Sequence, residues 1–170
     1  LLSGNNFEVS PINIKAKILL VEDHKPMREF VENFLNEYYE IFIAENGVSA
    51  LKLLEANKNF FDLVITDLMM PEMDGFELIE IVKSQEWGLG IPMIVLTAIA
   101  GEESKLRALN IGVDEYLLKP FSAEELLIRI KNLITNNSIR KLWIEKQKNG
   151  WEDEIDIPKN ELISDSKTAF

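Results

Sequence analysis

Five short apolar runs, each followed by a stretch with helical spacing, constrain this chain more than any other feature. The runs are KILLV (17–21), EIFIAE (40–45), DLVIT (62–66), PMIVL (92–96) and DEYLL (114–118). Each has the length of a strand, and they are near-continuous, as expected of strands covered on both faces. Between and after them come PMREFVENFLNEY (26–38), VSALKLLEANK (48–58), GFELIEIVKSQ (75–85), the more polar EESKLRALN (102–110) and SAEELLIRIKNLI (122–134). Strands that alternate with helices pair in parallel through right-handed crossovers. The predicted fold class is therefore α/β: a doubly wound, five-stranded parallel sheet with five helices.

Local signals refine this outline. Phe30, Phe34, Leu35 and Tyr38 share helical spacing in the first helix, and Pro26 suits its first turn. Gly112 marks a stop just past the fourth helix. Ser122 reads as the N-cap of the fifth, with Glu125 completing a capping box. Gly88-Leu89-Gly90 leads into a strand, so it is a turn and not a phosphate loop. Residues 1–15 read as a linker, 16–135 as the folded domain, and 136–170 as a further helix over 139–148 followed by an acidic linker. Trp143 and Trp151 either pack on the domain or each other, or meet a neighbouring domain. The first residue is not Met, which reads as a piece of a longer chain.

Composition narrows the class. Hydrophobic residues make up 46% and charged residues 28%, as in soluble globular proteins. No apolar run approaches the ~20 residues of a membrane span, and no secretory signal pattern stands at the N-terminus. The chain has no Cys, which excludes a disulfide framework and a thiolate metal site and fits a reducing compartment. A cytoplasmic location is the expectation. The net charge of −11 argues against nucleic acid as a direct partner.

In an open parallel sheet, ligands bind outside the carboxyl ends of the strands. Glu22 and Asp23 follow the first strand, Asp67 the third, Thr97 ends the fourth, and Lys119, before Pro120, ends the fifth. Three carboxylates brought together repel one another. A hard divalent cation relieves this, and an all-oxygen set favours Mg²⁺. Lys119 adds a second positive charge and Thr97 a hydroxyl, which together make an electrophilic cradle for a phosphoryl group. Asp67, in the middle, is placed to be a nucleophile that forms an aspartyl phosphate. Taken singly, the same residues have plainer readings. Asp67 would cap a helix approach, Lys119 would be solvated and Tyr116 would pack beside its strand. Met70 and Met73 read as core fillers, and the lone His24 as exposed beside the acidic pocket.

The pieces ILLVED (18–23), VITDLMMPEMDGFEL (64–78), IVLTA (94–98) and YLLKPF (116–121) resemble the receiver domain of response regulators in two-component signalling. The resemblance covers most of 16–135 and implies the flavodoxin-like, receiver type of doubly wound sheet. It implies Asp67 as phosphoacceptor, Glu22 and Asp23 as the metal-binding acidic pair, and the Met69 backbone carbonyl as a further Mg²⁺ ligand. It implies Thr97 and Tyr116 as the switch pair, Lys119 as the phosphate-binding lysine, and a cis Lys119–Pro120 bond. Pro71 and Gly75 match the turn after the acceptor. The implied donor is a phosphohistidine on a histidine kinase or phosphotransfer domain, and the domain would catalyse its own phosphorylation and dephosphorylation. The face of helix 4, strand 5 and helix 5 is implied as a homodimer surface.

NNFEVSP (5–11) resembles the link between kinase core and fused receiver in hybrid sensor kinases, with a regulator carrying a separate output domain as the other parent. Such a parent is free to be membrane-anchored, with no membrane contact by this segment. Met69 and Ile99 occupy positions that in the family influence loss of the phosphoryl group, and their bulk is expected to obstruct water. Among rivals, an aspartate-nucleophile phosphatase needs a second Asp where this chain has Met69. A dehydrogenase needs a Gly-x-Gly-x-x-Gly after strand 1. The remaining alternative is a receiver-like interaction module that is not phosphorylated.

Overall fold

A computed structural model describes residues 15–148. Its elements follow in the order β1 (Lys17–Val21), α1 (Lys25–Leu35), β2 (Glu40–Ala44), α2 (Gly47–Ala56), β3 (Leu63–Thr66), α3 (Gly75–Ser84), β4 (Met93–Thr97), α4 (Glu102–Asn110), β5 (Glu115–Leu118) and α5 (Ala123–Lys148). The five strands form one parallel sheet in the order β2-β1-β3-β4-β5. The predicted doubly wound sheet is therefore present.

Alternation along each strand divides the core in two. Leu19, Val21, Val64, Met93 and Val95 face one side and pack with Ala50 and Leu54 of α2, Leu78, Ile79 and Val82 of α3, and Ala108 of α4. Ile18, Leu20, Leu63, Ile65, Ile94 and Leu96 face the other, with Val31 and Leu35 of α1 and Leu126 and Ile130 of α5. The central strands are apolar on both sides because helices cover both sides. The chain reverses its direction of winding between β1 and β3, so their carboxyl ends open a crevice at the switch point.

Two glycines serve specific needs. Gly112 has φ +99. Its N–H donates to the Leu109 carbonyl, and the Val113 N–H to the Ala108 carbonyl, which closes α4 with a Schellman motif. At Gly75, a Cβ would lie 2.1 Å from the Asp67 carbonyl oxygen. Only a residue without a side chain lets α3 start against the end of β3.

Three expectations change. Of the four residues at helical spacing in the first helix, Leu35 is buried and Phe34 packs on the core, but Phe30 is exposed, and Tyr38 is exposed and lies past the end of α1. Met27, Val31 and Leu35 form a competing stripe at i, i+4, i+8, and that stripe meets the sheet. The capping box is half made. Ser122 Oγ accepts from the Glu125 N–H, while the Glu125 carboxylate goes to Arg129. The helices expected at 122–134 and 139–148 are one helix of 26 residues. Asn136-Asn137 does not break it, because neither residue removes a backbone donor or clashes with the preceding turn. Arg129 ties its first half to Glu115 of β5, whereas its last turns project from the domain. Trp143 sits on that projection and is 47% exposed, so it does not pack on the domain. Trp151 and the residues of both expected linkers, 1–14 and 149–170, lie outside the described residues. No described helix is long and apolar enough to cross a membrane.

Candidate functional site

Strand register assembles the site. Val21 of β1 pairs with Thr66 of β3, so Glu22 and Asp67 leave the sheet side by side. Thr97 of β4 pairs with Leu118 of β5, and the Lys119 N–H donates to the Thr97 carbonyl at 2.9 Å. Four strands thus bring Glu22, Asp67, Thr97 and Lys119 to one edge. The Lys119–Pro120 peptide is cis, as expected.

Lys119 joins the two buried carboxylates. Its ammonium lies 2.5 Å from Asp67 Oδ2 and 2.8 Å from Glu22 Oε2. The other Asp67 oxygen, Oδ1, accepts from the backbone N–H groups of Leu68 and Met69, at 2.5 and 3.1 Å. Asp67 is 8% exposed and Glu22 2%. Burial raises the Glu22 pKa above the usual carboxylate range, against the lowering effect of Lys119, and the Asp67 charge raises it further. For Lys119, burial alone would lower the pKa. The hydrogen bonds and charges of Asp67 and Glu22 outweigh it and leave the ammonium firmly protonated. A carboxylate can end this apolar strand because Asp67 is held by a cation and two amides.

Thr97 and Tyr116 are held more lightly. Thr97 is fully buried, and its Oγ1 accepts only a 3.3 Å contact from the Ile99 N–H. The Tyr116 hydroxyl donates to the Ile99 carbonyl at 2.8 Å. Burial, and after it the Asp67 carboxylate, push the Tyr116 phenol up. Both predicted switch residues therefore converge on one residue of the β4–α4 loop.

Asp23 is exposed. Among the described residues, Glu22, Asp23 and Asp67 do not form a closed cluster able to hold a metal ion. The donor chemistry nevertheless suits a hard cation. Every side-chain donor is a carboxylate oxygen, and three acids against one ammonium leave the edge with a net negative charge. The sequence reading missed Arg28. Its guanidinium donates to the Glu22 carbonyl at 2.7 Å and pairs with Glu45 at 3.1 Å, which pins the acidic loop. An arginine in a first helical turn gives no sequence signal of this role. His24 is exposed, as expected, and its N–H donates to Glu22 Oε1. Met70 and Met73 pack on the core, also as expected.

Comparison with known proteins agrees with this geometry. The family model described as the response regulator receiver domain matches residues 18–131. "Histidine kinase P4" of Formosa agariphila is 42% identical over 143 residues, which is 84% of this chain and 10% of that protein. "Hybrid signal transduction histidine kinase D" of Dictyostelium discoideum is 37% identical over 147 residues, 85% of this chain and 9% of that protein. The chain thus spans about a tenth of the length of these curated relatives. Among solved structures, a CheY-like response regulator receiver domain protein from Methanospirillum hungatei aligns with TM-score 0.68 at 29% identity. That alignment covers 74% of this chain and 98% of the other. The non-phosphorylated HemR receiver domain from Leptospira biflexa aligns with TM-score 0.65 at 36% identity, over 71% of this chain and 94% of the other. With β1, β3, β4 and β5 delivering this acid–lysine–threonine edge, the chain belongs to the response regulator receiver domain family of two-component signalling.

Proposed function

We propose that Asp67 is the phosphoacceptor of this receiver. The observation that carries the reading is the single Lys119 ammonium shared by Asp67 and Glu22 at the switch point of the sheet. A carboxylate oxygen of Asp67 attacks the phosphorus of a phosphohistidine on a histidine kinase or phosphotransfer domain. The P–O bond forms as the P–N bond breaks, and the imidazole leaves with the electron pair of that bond. The Leu68 and Met69 N–H groups orient the nucleophile, and Lys119 offsets charge on the phosphoryl oxygens. Glu22, Asp23, Asp67 and the Met69 carbonyl would hold Mg²⁺, which when bound supplies charge neutralisation at the transferring group.

After transfer, Thr97 Oγ1 gives up its weak contact with the Ile99 N–H and donates to a phosphoryl oxygen. Tyr116 leaves the Ile99 carbonyl and moves inward. This shifts the population of the α4–β5–α5 face, where Leu106, Leu109 and Leu118 are already exposed. That face then supports a homodimer. Equal sedimentation of phosphorylated and free forms would rule the dimer out. The acting unit is residues 16–135, with 1–15 and 136–170 as connectors. The parent is a hybrid sensor kinase acting in the cytoplasm, supported by the kinase relatives. Borohydride reduction of the phosphorylated chain followed by peptide mapping tests the acceptor: the reduced residue is expected at 67, and reduction at 22 or 23 would overturn the assignment.

A further inference from the structure

The amino edge of the sheet, opposite the Asp67 edge, holds two sequence features to which the phosphoacceptor site gives no role. One is the Gly88-Leu89-Gly90 turn ahead of β4. The other is Asn136-Asn137, a pair of weak helix formers kept in the interior of α5. Both line one cavity of about 90 Å³, together with Lys83 of α3, Asp114 ahead of β5 and Arg140 of α5. Asn136 and Asn137 lie one helical turn before Arg140, so the three share the face of α5 that meets the cavity.

The lining is cationic. The Lys83 side chain is 13% exposed, and its ammonium donates to the Ile91 carbonyl at 2.6 Å and lies 4.0 Å from Asp114 Oδ2. That oxygen already accepts from the Met93 N–H at 2.8 Å. Arg140 makes no ion pair among the described residues. Lys83 and Arg140 against Asp114 leave the cavity with an excess of positive charge, in a chain whose net charge is −11. Burial lowers the Lys83 pKa, Asp114 raises it, and the Arg140 charge lowers it again, so the two cations act on each other across the cavity. On the loop wall, a Cβ at Gly90 would meet nothing within 4 Å, which leaves the backbone there open to a ligand.

We propose that this cavity binds one small oxyanion, of the phosphate or sulfate type, between Lys83 of α3 and Arg140 of α5. Its volume admits a few waters or one such ion, and waters alone would leave the excess charge in place. The ammonium and the guanidinium supply charge-assisted donors, and the Asn136 and Asn137 side chains supply neutral ones. The Asp67 edge, with three acids against one ammonium, repels the same ion. Bound ion clamps α5 to α3 just before the last turns of α5 leave the domain, and so fixes the direction in which they project.

The test is a titration of the full chain with inorganic phosphate, without Mg²⁺ and at an ionic strength held constant with chloride, followed by amide chemical shifts. Saturable shifts are expected at Leu89, Gly90, Ile91, Asn136 and Asn137. Arg140 is exposed, so Arg140→Gln should keep the helical circular dichroism of wild type. It should weaken binding about tenfold, through loss of one charge-assisted contact. Glycerol 3-phosphate in place of phosphate separates two sources of the ligand: tighter binding marks a phosphate monoester, and equal or weaker binding marks the free ion. Shifts that do not saturate, that spread over the surface lysines at large, or that are the same in wild type and Arg140→Gln would overturn the proposal.

Discussion

The β1–β3 half of the site and the β4–β5 half are built to different standards. On the first side, Asp67 has two backbone donors and an ammonium, Glu22 shares that ammonium, and α3 begins against the Asp67 carbonyl with no room for a side chain. On the second side, Thr97 and Tyr116 each hold one partner, both on Ile99. The supporting helices follow the same division. Five residues of α3 are buried, but only Ala108 of α4. Chemistry needs a nucleophile that does not move, and signalling needs contacts that exchange at little cost. The fold separates the two by gathering the switch contacts on the β4–α4 loop, with Lys119 reaching from the end of β5 to the rigid side.

Breaking the rigid half should have the largest effects. Gly75→Ala drives a methyl group into the Asp67 carbonyl and is expected to cost about 3 kcal/mol of stability, read by denaturant unfolding, and to slow phosphoryl uptake. A wild-type midpoint would mean that the α3 start is looser than its geometry. Lys119→Met leaves Glu22 and Asp67 buried without their cation and should cost about 3 kcal/mol at neutral pH. Its pH dependence has a defined sign. The folded pKa of Glu22 is already raised, so the folded state binds its proton more readily than the unfolded state does. Removing Lys119 raises it further. The variant should therefore gain stability, relative to wild type, as pH falls from 7 toward the unfolded carboxylate value. Unfolding at matched pH without Mg²⁺ checks this; a deficit that does not shrink on acidification would contradict it.

Sharpening the comparison takes smaller changes. Met69 is 63% exposed beside Asp67, the proposed acceptor, and its bulk is expected to hold water off the phosphoryl group. Met69→Asn or Ile99→Glu should shorten the aspartyl-phosphate lifetime about fivefold, equivalent to about 1 kcal/mol on the barrier. An unchanged lifetime in both removes water obstruction from the account. Tyr116→Phe deletes one neutral hydrogen bond to Ile99 and should cost ~1 kcal/mol or less. Phosphoryl uptake should be normal, and only the response of the α4–β5–α5 face, read by sedimentation, should fall. Loss of uptake in this variant would merge the two halves that the structure separates.

What was legible in the sequence follows the same physics. The central strands announced themselves because burial on both faces forces unbroken apolar runs. The acid–lysine–threonine edge was legible because chain order and the parallel rule fix which strand ends share an edge. The face of α1 was legible only in part: Leu35 and Phe34 meet the core as their spacing suggested, but Phe30 shares that spacing and is exposed, while Met27 and Val31 are on the packed side. Which stripe turns inward is decided by the sheet. The length of α5 was hidden because Asn136-Asn137 weakens a helix without stopping it. The grip of Arg28 and of the Leu68 and Met69 amides on the acidic edge is a tertiary result that no local pattern encodes.

The most direct test is intact mass after incubation with Mg²⁺ and acetyl phosphate, for wild type and for Asp67→Ala. The account predicts one added phosphoryl group on wild type and none on the variant. A gain in both would place the acceptor on another carboxylate. No gain in a folded, Mg²⁺-bound wild type would make this receiver an interaction module that is not phosphorylated.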